Sequence, residues 1–236
     1  NEEEVLPHFF SAIIEVAGHM ATVDFELLFI DDGSTDGTLS LLRSFSEKDK
    51  RVRYYSFSRN FGKEAAMFAG LENAAGDYVV IMDADLLDPP ALIPQMYQAV
   101  RDGEADCVAT RRTDRKGESR IRSAFARSFY RLINKVSKLK LVDGARDFRL
   151  MSRQMVDAVL SMKEYNRFSK GIFEWVGFRT RWIEYDNINR EAGETKWSFW
   201  KLFLYSLDGL TAFSTAPLAI ASFVGIVLFI ISVIMI

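Results

Sequence analysis

The chain has 236 residues, and its 30 Lys and Arg nearly balance its 32 Asp and Glu. This balance gives the protein no overall attraction to nucleic acid, and the single cysteine, Cys107, excludes an internal disulfide and suits a reducing compartment or a domain facing one. Two histidines and one cysteine leave no set of zinc ligands, and the length allows one large α/β domain with a short addition.

The chain opens with a predicted amphipathic helix. Apolar residues from Val5 to Val16 recur at helical spacing, and Gly18 lies near the expected helix end. An α/β domain seldom begins with such a helix, so we expect that a first strand is missing before it.

Three apolar runs, residues 25–30, 52–57 and 78–82, predict buried strands, and residues 39–45 and 65–73 predict the helices between them. This β-α-β-α-β order predicts a parallel, right-handed, doubly wound sheet. Neither Gly-x-Gly-x-x-Gly nor Gly-Lys-Ser/Thr follows any of these strands. This argues against a dinucleotide-binding fold and excludes a P-loop.

Polar turns follow the first two predicted strands. The first strand ends in Asp31-Asp32-Gly33-Ser34, where glycine permits a tight turn and Ser34, Thr35 or Asp36 can cap the next helix. The second leads to Arg59-Asn60-Phe61-Gly62-Lys63.

The third predicted strand carries the strongest candidate site. It runs into Asp83-Ala84-Asp85, which places two carboxylates at the strand's carboxyl end, where open α/β sheets bind ligands. Such a pair can hold a divalent cation and, through it, a diphosphate. Two solvated turn aspartates are the alternative. Asp88 is a predicted helix N-cap, with Pro89-Pro90 in the first helical turn.

These three turns resemble motifs of the family 2 inverting glycosyltransferases of GT-A fold. The closest subgroup is the polyprenyl-phosphate glycosyltransferases, which is similar to dolichol-phosphate mannose synthase and to bacterial undecaprenyl-phosphate glucosyltransferases. Asn1-Glu2-Glu3 matches the end of that family's first-strand motif. Leu87 is a departure, because the family usually has Gln there, and a polar contact near the metal or phosphate is lost.

The resemblance implies a binding site for a nucleotide-diphosphate sugar. Asp85, with help from Asp83, would hold Mg²⁺ or Mn²⁺ on the donor diphosphate. Asp32 and Lys63 would bind the nucleoside end, and Glu2 is a further donor-binding candidate.

A basic segment follows the next predicted strand, residues 105–110. Arg111 lies at the end of that strand, and residues 115–140 combine arginines and lysines with apolar residues at helical spacing. A basic amphipathic helix suits a membrane surface, although a solvated helix on a core is the alternative. Arg111, Arg122 and Arg127 are the candidates for binding the acceptor phosphate.

Asp147 is the candidate catalytic carboxylate. Residues 143–150 resemble the family's Gly-x-x-Asp-Phe-Arg-Leu segment, and the resemblance implies that Asp147 faces the acceptor, either as a base or to orient it. A phosphate acceptor is largely ionised near neutral pH, so proton removal need not be a large part of the barrier. A structural carboxylate is the alternative.

A last predicted strand, Thr180–Tyr185, precedes a loop that resembles the subgroup's Arg-x-x-Gly-x-Ser/Thr-Lys-Trp/Tyr-Ser motif. Arg190 and Lys196 in this loop would close over the donor diphosphate and neutralise the leaving group. Residues 199–210 are rich in Phe, Trp and Tyr, which predicts an interfacial helix.

Residues 218–236 carry no charge and predict a transmembrane helix, with a buried core helix as the alternative. Because the lysines and arginines precede this span, we expect the catalytic domain on the cytoplasmic side, in a bacterium at the inner or plasma membrane. The run ends apolar, so we expect the chain to continue. The predicted divisions are a GT-A catalytic domain (1–190), an active-site loop with a juxtamembrane helix (191–215) and the transmembrane helix (216–236).

The sequence thus predicts a membrane-anchored, metal-dependent inverting hexosyltransferase of cell-envelope glycosylation. It would move one sugar from a nucleotide-diphosphate sugar, with UDP-glucose favoured and GDP-mannose or another donor open, to a polyprenyl phosphate in the bilayer. An Asp-x-Asp phosphohydrolase and a catalytically impaired, membrane-tethered scaffold are the alternatives. Homo-oligomerisation is open, and no nucleic-acid partner is expected.

Overall fold

The protein is described from a computed structural model, which defines residues 1–113, 131, 134–135, 141–164, 167–186 and 211–235. The chain divides into two compact units. The first consists of Asn1–Gly117, Gly144–Lys163 and Val176–Gly193, and the second of Glu118–Asp143, Glu164–Trp175 and Glu194–Ile236.

The first unit has α/β architecture. Its strands are β1 (Leu27–Asp31), β2 (Val52–Ser56), β3 (Tyr78–Ile81), β4 (Cys107–Arg112), β5 (Ala145–Ser152) and β6 (Thr180–Tyr185). Its helices are α1 (Leu6–His19), α2 (Thr38–Lys48), α3 (Lys63–Asn73), α4 (Ile93–Arg101) and α5 (Arg153–Ser161), and a 3₁₀ turn, Pro90–Leu92, precedes α4.

The strands form two hydrogen-bonded sheets. β1 and β2 are parallel, from Leu27 opposite Val52 to Asp31 opposite Ser56, as the β-α-β pattern predicts. The second sheet has the order β3-β5-β4-β6, in which β5 is antiparallel to β3 and β4, and β4 is parallel to β6. The prediction of a wholly parallel sheet was therefore wrong for β3, because it pairs with β5, a strand that the sequence pattern did not reveal.

Helix α1 packs on the core as its apolar spacing predicts. Leu6, Phe9 and Ile13 are buried, and the ring of Phe9 meets that of Phe29 of β1 edge-on at 6.3 Å. Burying an aromatic or branched side chain stabilises a fold by about 1.5–3 kcal/mol, so these residues fix α1 against the β1–β2 pair.

The second unit contains a short helix, α6 (Ser169–Trp175), and a long apolar helix, α7 (Ala216–Met235). The ring of Phe213 lies 6.2 Å from that of Phe168 and 6.0 Å from that of Trp175, and a Cβ at Gly171 would clash with it. By length and composition, Leu218–Met235 is able to cross a membrane, and its side chains are exposed. The prediction of a long apolar helix at this position is thus confirmed.

Candidate active site

The turn after β1 is ordered by the first of its two aspartates. Asp31 is buried, and its carboxylate accepts hydrogen bonds from the backbone N–H of Ser34 at 3.1 Å and from the hydroxyl of Ser56 at 2.7 Å. Asp31 therefore has a structural role, because it ties the turn after β1 to the end of β2.

Asp32 links the turn after β1 to the loop after β2. Its carboxylate accepts the backbone N–H of Phe61 at 2.7 Å and that of Gly62 at 3.0 Å. Gly33 has a φ of 68°, and a Cβ there would lie 2.5 Å from the carbonyl carbon of Arg59. Only glycine permits both this conformation and this approach, so two of the predicted motifs form one structure.

Lys63, the first residue of α3, joins two more predicted residues. Its Nζ lies 2.7 Å from Oδ2 of Asp83 and 2.6 Å from Oδ2 of Asp147. The register of β3 and β5 explains this arrangement. Ile81 is opposite Arg149, so continuing the antiparallel pairing past the end of β3 sets Asp83 opposite Asp147, and one ammonium spans both.

Charge in this cluster is arranged so that Lys63 stays protonated. Burial lowers the pKa of Lys63, but the attraction of Asp147 and of Asp83 outweighs it and raises that pKa above its ordinary value. Burial raises the pKa of the Asp83 carboxyl; Lys63 opposes this rise, and the charges of Asp147 and Asp85 add to it. Asp83 is therefore a weaker acid than an ordinary aspartate.

The Asp83-Ala84-Asp85 turn is tightly constrained. Oδ1 of Asp85 accepts the backbone N–H of Leu87 at 3.2 Å, and Leu86 has a φ of 56°, a conformation that bulky residues rarely adopt. Leu87 is buried, so the residue that replaces the family's usual Gln packs its side chain away from solvent. Such strain persists only where the surroundings hold the backbone in place.

Asp88 is not a helix N-cap, so that prediction was wrong. The carboxylate is 1% exposed and accepts Nε of Arg146 at 2.8 Å and Nη2 of the same guanidinium at 3.3 Å. The hydroxyl of Tyr185 donates to the same carboxylate. A buried carboxylate favours a guanidinium over solvent-exposed helix amides because it needs a charged partner.

Arg146 and Tyr185 are site residues that sequence reasoning missed. Burial opposes the charge of Arg146, but Asp88 raises the pKa of its guanidinium. Burial and the charge of Asp88 together raise the pKa of Tyr185 to about 12. An arginine next to Asp147 in the family-like segment was a signal for Arg146, whereas no local pattern marks Tyr185.

The described side chains would hold a divalent cation only together with oxygen atoms of a bound substrate. Among the described residues, no group of three His, Cys, Asp or Glu side chains is placed to hold a metal. The candidate ligands are Asp85 and Asp83, of which Asp83 is ion-paired with Lys63. Mg²⁺ is usually held by one or two carboxylates and substrate phosphates, so this donor set suits a cation that arrives with a diphosphate.

The remaining predicted residues have different outcomes. The backbone N–H of Glu2 donates to the hydroxyl of Thr38 at 2.9 Å, so Glu2 lies beside the start of α2. Arg111 is partly exposed and ion-paired with Glu184, its register partner on β6. The predicted basic-segment and loop residues lie outside the described residues, and their roles stay predictions: Arg122, Arg127, Arg190 and Lys196.

The fold is shared with a solved glycosyltransferase. Glucosyl-3-phosphoglycerate synthase from Mycobacterium tuberculosis, solved with phosphoglyceric acid, superposes with a TM-score of 0.54 at 20% identity, over 87% of this chain and 72% of that chain. A structure of the same enzyme with Mn²⁺ and UDP-glucose gives a TM-score of 0.50, with the same coverage and identity. At this identity the likeness shows the fold alone, which is GT-A-like.

The chain belongs to glycosyl transferase family 2, which it matches over residues 1–160. It is 44% identical to the putative glycosyltransferase CsbB of Bacillus subtilis, over 89% of this chain and 64% of that protein. It is 43% identical to a prophage bactoprenol glucosyl transferase homolog of Escherichia coli, over 96% of this chain and 74% of that protein. The bactoprenol glucosyl transferase of Shigella phage SfV is 42% identical, over 96% and 73% respectively.

The predicted family and α/β fold class are therefore confirmed, and the chain spans slightly less than two thirds of CsbB. Membership of a glycosyltransferase family favours the transferase over the phosphohydrolase alternative.

Proposed function

We propose that this chain is the catalytic part of an enzyme that transfers one glucosyl residue from UDP-glucose to a polyprenyl phosphate. The observation that carries the proposal is the 42–43% identity, over 96% of the chain, to proteins named bactoprenol glucosyl transferase or its homolog. The long apolar helix α7 supports it, because a polyprenyl acceptor resides in a bilayer. The catalytic unit would then face the cytoplasm of a bacterium, at its plasma membrane.

The donor diphosphate would lie beside Asp85 and Lys63. Asp85 would hold Mg²⁺ or Mn²⁺ together with diphosphate oxygens, and the bound cation would neutralise charge on the leaving group. The Lys63 ammonium has three N–H donors, of which Asp83 and Asp147 take two, so another would be directed to the donor. Asp32, held by the loop amides, would set the nucleoside end.

The acceptor phosphate would approach Asp147. A phosphate monoester has a second pKa of about 6, so the acceptor is already nucleophilic near neutral pH. Its oxygen would attack the anomeric carbon of glucose as the bond to the UDP oxygen breaks, with inversion. Asp147 would then act by orientation: its carboxylate fixes the Lys63 ammonium beside the donor. The loop bearing Arg190 and Lys196 would exclude water.

A panel of radiolabelled nucleotide sugars, incubated with undecaprenyl phosphate with and without EDTA, tests this function. Label should pass to lipid from UDP-glucose and not from GDP-mannose, and EDTA should abolish the transfer. Lipid-linked label from another sugar would overturn the donor assignment. Release of free sugar only would favour the phosphohydrolase. An intact donor in every reaction would favour the catalytically impaired scaffold. The observation behind that alternative is Leu87, which stands where the family usually has Gln.

A further inference from the structure

The network around Asp88 joins three distant parts of the chain. Asp88 follows the Asp83-Ala84-Asp85 turn, Arg146 belongs to β5, and Tyr185 ends β6. Its carboxylate is buried, and Arg146 binds it through two nitrogens, which fixes the orientation as well as the distance.

We propose that Arg146 and Tyr185 are positioning residues, which act through Asp88 to hold the cation-binding turn in place against Asp147. This inference rests on the proposed function. It concerns the guanidinium of Arg146 and the hydroxyl of Tyr185, which are both directed to Asp88; Tyr185 also shares a hydrogen bond with Arg112.

The connection from Asp88 back to Asp85 is short and stiff. The carboxylate of Asp85 accepts the N–H of Leu87, Leu86 is held in a left-handed conformation, and the side chain of Leu87 is buried. A displacement of Asp88 therefore cannot be absorbed by free rotation of the residues between it and Asp85, and Asp85 must move as well.

The connection from Arg146 to the catalytic cluster is a single peptide unit. The register of β4 and β5 shifts between Ala109 and Arg111, opposite this part of β5, so the contacts of the two side chains show their directions. Arg146 contacts Asp88, whereas Asp147 contacts Lys63. The contact of Arg146 with Asp88 therefore fixes the beginning of β5. It thereby also fixes the position of Asp147 relative to the Asp83-Ala84-Asp85 turn.

A contribution to stability alone does not account well for this network. Removing a carboxylate and a guanidinium from water costs energy that their attraction only partly offsets, and apolar side chains of similar volume would often stabilise as well. A guanidinium and a hydroxyl form directional hydrogen bonds that fix the orientation of the Asp88 carboxylate, and apolar residues would not.

The test compares Tyr185→Phe with Tyr55→Phe. Each variant loses one tyrosine hydroxyl that takes part in a side-chain hydrogen bond. The hydroxyl of Tyr55 accepts a hydrogen bond from Arg53 at 3.1 Å on the surface of β2, away from the candidate site. Arg146→Lys, which keeps the charge but loses the two-nitrogen contact, is a second variant. Melting curves of all the proteins in detergent, taken first, set an assay temperature at which each is folded.

Two measurements separate positioning from folding. In transfer assays, Tyr185→Phe should lower kcat and raise the half-saturating Mn²⁺ concentration by about 10-fold, the low end for losing a partner that orients a metal ligand. The KM for UDP-glucose should change little. In calorimetry, the variant should bind UDP normally in EDTA, but lose most of the affinity that Mn²⁺ adds in the wild type. Arg146→Lys should behave in the same way, and Tyr55→Phe like the wild type.

The inference is overturned if Tyr185→Phe and Arg146→Lys keep the wild-type response to Mn²⁺ in both measurements. It is also overturned if the variants lose as much UDP affinity in EDTA as they lose with Mn²⁺. The network would then support the whole nucleotide site and not the cation-binding turn in particular. A wild type that binds UDP with Mn²⁺ but transfers no sugar would refute the proposed function alone, since the binding comparison would still decide the role of Tyr185.

Discussion

The Nζ of Lys63 lies 2.6 Å from the carboxylate of Asp147, although one begins a helix and the other lies on a strand added much later in the chain. Asp83 shares the same ammonium. One lysine thus partly compensates two carboxylates that the antiparallel pairing of β3 and β5 brings together, and the remaining negative charge, with that of Asp85, suits a divalent cation that enters with a donor diphosphate.

Lys63→Met should lower kcat by about 100-fold, on the scale of losing one donor to developing charge. The substitution keeps an apolar stem but leaves Asp83 and Asp147 repelling each other. Transfer rates at saturating UDP-glucose measure the effect, with Lys48→Ala, an exposed residue of α2, as the matched loss of a lysine. A variant with a lower melting temperature but wild-type kcat would reduce Lys63 to a structural role.

Asp85→Asn and Asp83→Asn should differ in their dependence on metal. Asp85→Asn should lose most transfer and require much more Mn²⁺, because an amide offers a cation no charge. Asp83→Asn should lower kcat with a smaller change in the Mn²⁺ requirement, since Asp83 is bound to Lys63. Mn²⁺ titrations of both variants test this, with Asp157→Asn on the exposed face of α5 as control. Wild-type turnover of Asp85→Asn at saturating metal would refute the ligand assignment.

Local patterns in the sequence predicted the elements whose burial follows a simple period. Helix α1 was found from its apolar spacing, and β6 was predicted as Thr180–Tyr185, the bounds that the structure has. Strand β5 was missed because Arg146, Asp147 and Arg149 interrupt its apolar pattern, and Arg149 is nevertheless 2% exposed. Burial of a charge depends on partners elsewhere in the chain, which a local pattern does not contain.

In the candidate site, too, the sequence predicted some features and missed others. Asp32, Lys63, Asp83, Asp85 and Asp147 were named from motifs, and the structure brings Lys63, Asp83 and Asp147 into contact. The role of Asp88 was mistaken, since its partners come from β5 and β6 and no sequence spacing links them. Motifs thus identified the residues, but only the structure showed which of them form ion pairs and hydrogen bonds with one another.

Stability at alkaline pH should depend on Tyr185. Its pKa rises from 10.0 to about 12 on folding, so between these values the folded protein holds a proton that the unfolded chain releases. Folding stability therefore falls as pH rises through this window. Lys63, whose pKa is also raised, contributes fully below 10.5 and loses its contribution above its folded pKa, in the wild type and in Tyr185→Phe alike. Melting temperatures should fall less steeply with pH in Tyr185→Phe. Parallel curves would contradict the prediction.

Gly33→Ala should weaken nucleotide binding more than it lowers the maximal rate. The new Cβ would meet the backbone of Arg59 at 2.5 Å, and backbone atoms cannot turn aside as a side chain would. The loop would have to withdraw from the turn, and Asp32 would lose the amides of Phe61 and Gly62 that orient its carboxylate. Lys63 would still reach Asp83 and Asp147 from α3.

Gly103→Ala is the matched control for this substitution. Gly103 has a φ of 74°, close to the 68° of Gly33, but a Cβ there would meet nothing within 4 Å. Both variants carry the strain of a left-handed alanine, of the order of 1 kcal/mol, and only Gly33→Ala adds the clash. We therefore expect similar losses of stability from strain, and a raised KM for UDP-glucose and weaker UDP binding only in Gly33→Ala. Equal KM values in the two variants would show that the contact between the turn after β1 and the loop after β2 does not shape the nucleotide site.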